Sequence, residues 1–592
     1  MVATAGHVDH GKSTLIRALT GMEPDRWEEE RRRGLTIDLG FAWTTLPSGR
    51  EVAFVDVPGH QRFLANTLAG LGPAPVVCFV VAADEGWQQQ SSDHRDAIAA
   101  LDIRYGLIVV TRADRAPERA DGVLARTREE LAETGLRDAS GVVVSAVDGT
   151  GLADLRVALD RVLSEVPPPD AAARVRLWVD RAFTIAGAGT VVTGTLAAGT
   201  LTSGERLEML GIQRKTSVAV RGLQSCGKPY PVLEPVSRAA VNLRGVPRDV
   251  VRRGDVLLTS DAWPITRAVD ARRTTGCPWT EAPTQLVVHV GTAAVPGRLR
   301  PFGDDHGRLA LDRRLPLVLG DRLVLRDPGT RRVLGGALVL DADPPALRRR
   351  GDSARRQQAL ALMSDSGDLA AEVARRGVVA VAHLSRLGLR TDAVPDGVTV
   401  LDGWWVDTGT YQAWQQRLAV AVKALHARDP LADGLSRGAA RVSLGLPDEA
   451  LLDALVRDAG LEQRAGHIRV PGAGADLGNA EAAVRELETR LRAEPFRAPE
   501  AYELRALGLG ARALAVAERT GRILRLRDGV VLLPTAPALA MRELARLEQP
   551  FTTSQARQAL GTTRRVAIPL LEHLDARGWT RRLDAGHREV VR

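Results

Sequence analysis

The run Gly6-His-Val-Asp-His-Gly-Lys-Ser13 leaves little choice about how this chain begins to fold. Its glycines let backbone N–H groups close around phosphate oxygens, Lys12 neutralises the β/γ charge of a nucleotide, and the Ser13 hydroxyl reaches the nucleotide's magnesium ion. His7, Val8, Asp9, His10, Gly11 and the following Thr14 complete the candidate phosphate-binding set. The apolar start Met1–Ala5 predicts a strand and the run Thr14–Leu19 a helix, which is the strand, loop and helix context this chemistry requires.

At 592 residues the chain exceeds what one core sustains, roughly 250 to 300 residues, so several domains are expected. No run of about 18 apolar residues offers a membrane span, and Met1 leads directly into a strand rather than into a charged and apolar leader. A cytoplasmic protein without membrane association is expected. Cys78, Cys226 and Cys277 lie too far apart for a C-x-x-C pair, so neither a disulfide framework nor a zinc site is indicated, and buried thiols are expected. The net charge of +8 favours polyanionic partners, although a solvated basic surface accounts for most single arginines.

Further nucleotide-site elements follow in order. After the charged run Glu28–Arg33, Gly34-Leu-Thr-Ile-Asp-Leu-Gly-Phe41 places Thr36 where a switch segment supplies a second magnesium hydroxyl that senses the γ-phosphate. Val52-Ala-Phe-Val-Asp-Val-Pro-Gly-His60 is a buried-strand pattern delivering Asp56 to the magnesium shell and the Gly59 N–H to the γ-phosphate. His60 then orients the attacking water, because phosphoryl transfer depends on positioning and charge stabilisation. Leu107-Ile-Val-Val-Thr-Arg-Ala-Asp114 is another strand ending in polar residues at the carboxyl edge of an α/β sheet, with Asp114 accepting hydrogen bonds from guanine N1 and N2. Thr111 and Arg112 depart from the Asn-Lys of related GTPases: Thr111 lacks an amide, and the Arg112 stem is left to cover the base. Ser145 and Ala146, after the strand Val142–Val144, present backbone N–H groups to guanine O6. This set argues for GTP and GDP rather than an adenine nucleotide.

Gly6–Lys12 together with Asp56–His60 resembles the translational GTPases of the elongation factor Tu class. Within that class, Arg33–Phe41 is most similar to the bacterial selenocysteine-specific elongation factors. The fold expected is an α/β P-loop GTPase domain over 1–167, closed by Pro167-Pro-Pro169, then two β-barrel domains over 171–262 and 263–342. Behind them the chain turns Arg-, Ala- and Leu-rich, and a faint repeat recurs: a helix stop, a strand, a turn and a strand at Leu455–Val470, Glu518–Leu533 and Leu574–Val591, with an earlier copy at Val398–Val406 around an Asp-Gly turn. Four tandem winged-helix (α+β) domains are expected, over 343–407, 408–475, 476–538 and 539–592.

The resemblance implies GTP/GDP and magnesium as ligands. It implies selenocysteinyl-tRNA, the ribosome and a selenoprotein mRNA hairpin as partners of a monomer. It assigns Asp180, Arg181 and Arg238 to a selenocysteinyl pocket, where arginines favour a selenolate over uncharged serine; the plainer reading is an Asp180–Arg181 surface pair worth little. It also points to Arg564 and Arg565 as RNA contacts near a helix N-terminus, with Arg581, Arg582 and Arg588 secondary. Two alternatives remain at this point. One is another Tu-like initiator or elongator tRNA carrier, against which the long tail argues. The other is a GTP-switched winged-helix regulator that binds nucleic acid.

Overall fold

The computed structural model describes residues 1–24, 36–212, 214–429, 432–471 and 477–591; Glu28–Arg33, Gly34 and Leu35 lie outside them. Near the N-terminus a six-stranded sheet has the order β2-β3-β1-β4-β5-β6, formed by β1 (Val2–Ala5), β2 (Gly40–Thr45), β3 (Glu51–Asp56), β4 (Val76–Ala82), β5 (Tyr105–Thr111) and β6 (Ser140–Val143). Only β2 runs antiparallel to its neighbour in this sheet. Helices α1 (Lys12–Thr20), α2 (Leu64–Leu71), α3 (Gln89–Leu101), α4 (Ala120–Leu131) and α5 (Leu152–Glu165) connect or follow the strands. A parallel sheet is covered on both faces, which is why β4 reads Val-Val-Cys-Phe-Val-Val-Ala and is buried throughout. One core gathers Val55, Phe79, Ile98 and Leu131, and another gathers Leu15, Phe54, Val80 and Leu159.

The next segment forms an eight-stranded antiparallel sheet between Arg176 and Thr259 around Leu177, Val192, Val220 and Val241. A closed six-stranded antiparallel barrel follows, between Thr266 and Asp341. Its strand Ala293–Pro301 buries every second residue at first, the period of a strand with one face on a core. The barrel packs against the end of α3: Arg322 donates to Asp102 at 2.7 Å, and a Cβ on Gly336 would lie 2.7 Å from the Ala100 carbonyl oxygen. The buried-thiol expectation holds for Cys78 alone; Cys226 is half-buried in a turn with φ 49°, and Cys277 is exposed.

Beyond Pro344 and Pro345, helix α6 (Asp352–Ala361) is anchored by Arg356, which is buried and pairs with Asp270 and Asp341 at 2.6 Å each. The chain divides into two compact units, Met1–Glu372 with Ala380–Ala393, and Val373–Val379 with Val394–Arg592, so the division falls inside 343–407. Each hairpin of the repeat is present. Val398–Leu401 pairs with Trp404–Asp407, Glu462–Arg464 with His467–Arg469, Leu524–Arg525 with Val531–Leu532, and Thr580–Arg582 with His587–Val590. Asp402 and Gly403 turn the first with φ of 37° and 81°, the left-handed pair that a tight hairpin needs. The last two repeats share one apolar cluster, from Leu477 and Val484 through Phe551 to Leu574. No helix among the described residues is long and apolar enough to cross a membrane.

Candidate functional site

The carboxyl ends of β1, β3 and β5 and the loop after β6 surround a cavity of about 550 Å³ lined by Lys12, Ser13, Thr36, Gly59, Asp114 and Ala146, among others. Val8, Asp9, Gly11, Thr14, Thr111 and Arg112 also line it. Open α/β sheets place ligands at this edge. Gly6 has φ 131°, and a Cβ there would meet the Val80 carbonyl oxygen at 2.1 Å, so no other residue fits. Gly59 is equally constrained, since its Cβ would lie 2.4 Å from the Val8 nitrogen. Lys12 donates to the carbonyls of Gly6 at 3.1 Å and His7 at 2.7 Å, which puts its ammonium inside the loop at the N-terminus of α1.

Asp56 is fully buried at the end of β3. Its carboxylate accepts from Thr4 Oγ1 at 2.7 Å and from Ser13 Oγ at 2.6 Å, and Ser13 Oγ lies 3.1 Å from Thr36 Oγ1. Burial pushes the Asp56 carboxyl up, opposed by Lys12 and the hydroxyls. One buried carboxylate and two hydroxyls form an oxygen donor set of the kind that suits magnesium, with phosphates and water completing the shell.

His60 follows Gly59 but does not line the cavity; its Nδ1 accepts from the Arg62 N–H at 3.1 Å. His7 and His10 belong to the loop, and burial lowers both, His10 to about 3. A residue that the sequence did not single out, His94 on α3, accepts the Gly6 N–H through Nδ1 at 2.9 Å, and Gln90 accepts the Val8 N–H at 3.2 Å. His94 is buried and its pKa is lowered to about 3 by burial. No local motif marks it, because its partner lies 88 positions away.

At the base end Asp114 is exposed to the cavity beside Ala146, while Ser145 Oγ accepts from the N–H groups of Val147 and Asp148 at 3.3 and 3.4 Å and so shapes that loop. Thr111 Oγ1 donates to the His10 carbonyl at 2.7 Å, a tether that needs a hydroxyl and no amide. The Arg112 guanidinium pairs with Glu85 at 2.6 Å and Asp84 at 3.2 Å and donates to the Asp9 carbonyl. That cation is committed to an acidic pair.

The Asp180–Arg181 surface pair of the plainer reading is not what forms. Asp180 is buried and accepts from both Arg238 Nη atoms, at 2.8 Å for one of them, and from Thr193 at 2.7 Å. Arg181 turns to Asp38 at 3.0 Å and to the Leu39 carbonyl, and the Arg238 guanidinium lies 3.7 Å from the Phe41 ring centroid.

In the last repeat Arg564 is exposed at the start of helix Arg564–Ala576. One arginine is corrected. Arg588 is buried, bound to Asp575 at 2.9 Å and Thr553 at 3.1 Å, and so clamps the hairpin instead of facing RNA. Arg565 is half-buried, donating to the Ala498 carbonyl at 2.9 Å and pairing with Glu500 at 3.0 Å. Arg581 and Arg582 are exposed; Arg581 pairs with Glu589, and Arg582 donates to the Asp584 carbonyl at 3.0 Å.

A phosphate loop, a buried Asp56, a cavity edge carrying Asp114 and Ala146 and two β domains in series define a translational GTPase of the elongation factor Tu class. Residues 1–165 match the elongation factor Tu GTP binding domain and residues 189–258 the elongation factor Tu domain 2. Residues 279–346 match the selenocysteine-specific elongation factor beta-barrel domain and residues 542–588 the elongation factor SelB winged helix. The selenocysteine-specific elongation factor of Escherichia coli K12 is 31% identical over 620 residues, covering 99% of this chain and 98% of that protein. That of Desulfomicrobium baculatum is 30% identical, with 98% of each covered. A crystal structure of the bacterial selenocysteine-specific elongation factor EF-Sec superposes with a TM-score of 0.76 at 25% identity, covering 100% of this chain and 99% of that one. The chain belongs to the selenocysteine-specific elongation factor family.

Proposed function

We propose that this GTPase carries selenocysteinyl-tRNA to the ribosome at UGA codons and is held there by a selenoprotein mRNA hairpin bound through its tail. The match along essentially the whole chain to selenocysteine-specific relatives carries the reading. It acts as a cytoplasmic monomer built as a GTPase domain over 1–167, β domains over 171–262 and 263–342, and four winged helices.

The phosphate loop and Lys12 hold the triphosphate, and Asp114 selects guanine through its N1 and N2 donors. Ser13, Thr36 and Asp56 would hold magnesium, which when bound neutralises charge on the β- and γ-phosphates. Thr36 reports the γ-phosphate, and His60 places the attacking water once cargo and codon are matched. Arg181 and Arg238 favour a selenolate by charge-assisted contact, and a serine hydroxyl gains far less from them. A cavity of about 610 Å³ on the first β domain, lined in part by Arg214, Arg244 and Arg252, suits a nucleic-acid backbone. Arg564 is the leading hairpin contact.

The rival reading, a GTP-switched regulator that binds DNA, is separated by a binding comparison. At one fixed salt concentration the whole protein should bind the hairpin that follows a UGA codon in a selenoprotein frame of the same genome at least about a thousandfold more tightly than duplex DNA of equal length. Equal affinities would sink the proposed role of the tail.

A further inference from the structure

Three arginines of the first β domain converge on one short stretch of the GTPase domain, Ile37–Phe41. Arg181 donates through Nε to Asp38 Oδ2 at 3.0 Å and through Nη2 to the Leu39 carbonyl. Arg253, which no motif singled out, donates through Nη1 to Asn66 Oδ1 at 2.7 Å and lies 3.5 Å from Asp38 Oδ1. Asn66 in turn donates to the Ile37 carbonyl at 2.8 Å. Arg238, held by Asp180, stacks over Phe41. Among the described residues Arg253 Nη2 is buried without a hydrogen-bond partner.

The two ends of this stretch report on different things. Thr36, the residue before it, has its hydroxyl 3.1 Å from Ser13 Oγ, at the nucleotide's phosphate end. Asp38, two residues on, contacts two of the three arginines. Among the described residues, three guanidinium groups against the carboxylates of Asp180 and Asp38 leave one net positive charge. That balance suits a single anionic side chain. Without Asp38 the two arginines it joins, Arg181 and Arg253, face each other with less to hold them, and like charges at such range repel.

We propose that Asp38 is the positioning residue that couples the nucleotide to the cargo pocket: it orients Arg181 and Arg253 for the anionic side chain of the cargo when Thr36 sits against Ser13, and withdraws that support when Thr36 leaves. Sequence proximity makes the coupling direct. Two residues of backbone join the hydroxyl that reads the γ-phosphate to the carboxylate that holds the arginines, so neither can move far alone. Arg253 is thereby a third arginine of the pocket, and its unpartnered Nη2 is a donor for the cargo. This deepens the proposed function and rests on its assignment of Arg181 and Arg238 to the cargo.

The test compares selenocysteinyl-tRNA and seryl-tRNA binding to the full-length protein in its GTP and GDP forms, for wild type, Asp38→Asn and Asp38→Glu. In Asp38→Asn the ratio of GTP-form to GDP-form affinity for selenocysteinyl-tRNA should fall at least about fivefold, the lower end of ordinary coupling. The loss should appear in the GTP form, leave the GDP form unchanged, affect seryl-tRNA less, and be partly restored by Asp38→Glu. An unchanged ratio, or an equal loss in both nucleotide forms, overturns the coupling. A wild type that does not prefer selenocysteinyl-tRNA removes the cargo reading itself, whereas a wild type that does, beside an unaltered ratio in Asp38→Asn, removes only the role of Asp38.

Discussion

His94 on α3 supports the first glycine of the phosphate loop. It accepts the Gly6 N–H through an unprotonated Nδ1, and protonation would place a donor against a donor. His10 and His94 both have pKa values lowered to about 3, mainly by burial, from an ordinary value of 6.5. Below pH 6.5 the unfolded chain therefore takes up protons that the folded chain refuses. Their contribution is complete above pH 6.5 and is lost as the pH falls toward 3, by about 1.4 kcal/mol per pH unit for each histidine. Urea midpoints of the nucleotide-free protein should drop between pH 6.5 and 5, and His94→Gln should have a shallower dependence than wild type; equal slopes would contradict this. The phosphate loop itself was legible, because its chemistry is local: glycine, lysine and serine at fixed spacing can do little else. Thr111 was legible as a departure from pattern but not in its consequence, since the tether it makes to His10 spans 101 positions. The pairing of Arg238 with Asp180, 58 positions away, was hidden for the same reason.

Helix α6 falls in the stretch 343–407 expected to form the first winged helix, yet Arg356 ties it to the barrel through Asp270 and Asp341. Asp270 is fully buried, and it is held jointly by Arg356 and Arg308, each at 2.6 Å. Truncating Arg356 leaves Asp270 to Arg308 alone and removes the 2.6 Å contact with Asp341, a loss smaller than the roughly 3–5 kcal/mol of a buried pair broken outright. Arg356→Ala should therefore speed amide hydrogen exchange across Asp352–Ala361 and the neighbouring barrel strands, and exchange rates matching wild type would contradict the anchor. In the last repeat the exposed and the buried arginines should part company. Arg564→Ala should weaken hairpin binding and reduce the slope of log affinity against log salt by about 0.7 to 0.9, the signature of one lost phosphate contact, whereas Arg588→Ala should lower the melting temperature. The tail hairpins were legible from their glycine-marked turns. That the third and fourth repeats share one core was not, because an apolar cluster from Leu477 to Leu574 leaves no mark on local periodicity.

Across the molecule, the first compact unit contains the nucleotide cavity, the arginine cluster and the barrel, and the second contains most of the tail. The sequence order of these parts, motor first, β domains next and repeats last, was legible because each has its own texture: long apolar strands, then alternation with glycine, then helical periodicity. The contacts between motor and β domains were not, because the resemblance named Arg181 and Arg238 but not Arg253, and no local pattern ties any of the three to Asp38 or Phe41. On the proposed function, those arginines make a GTP-driven carrier selective for a selenolate. The most direct measurement is the affinity of the GTP form for selenocysteinyl-tRNA against seryl-tRNA with the same tRNA body. Selenocysteinyl-tRNA should bind at least about a hundredfold more tightly, worth about 2.7 kcal/mol, and Arg181→Ala or Arg238→Ala should erase most of that preference. Equal affinities in the wild type, or a preference that survives both substitutions, would contradict it.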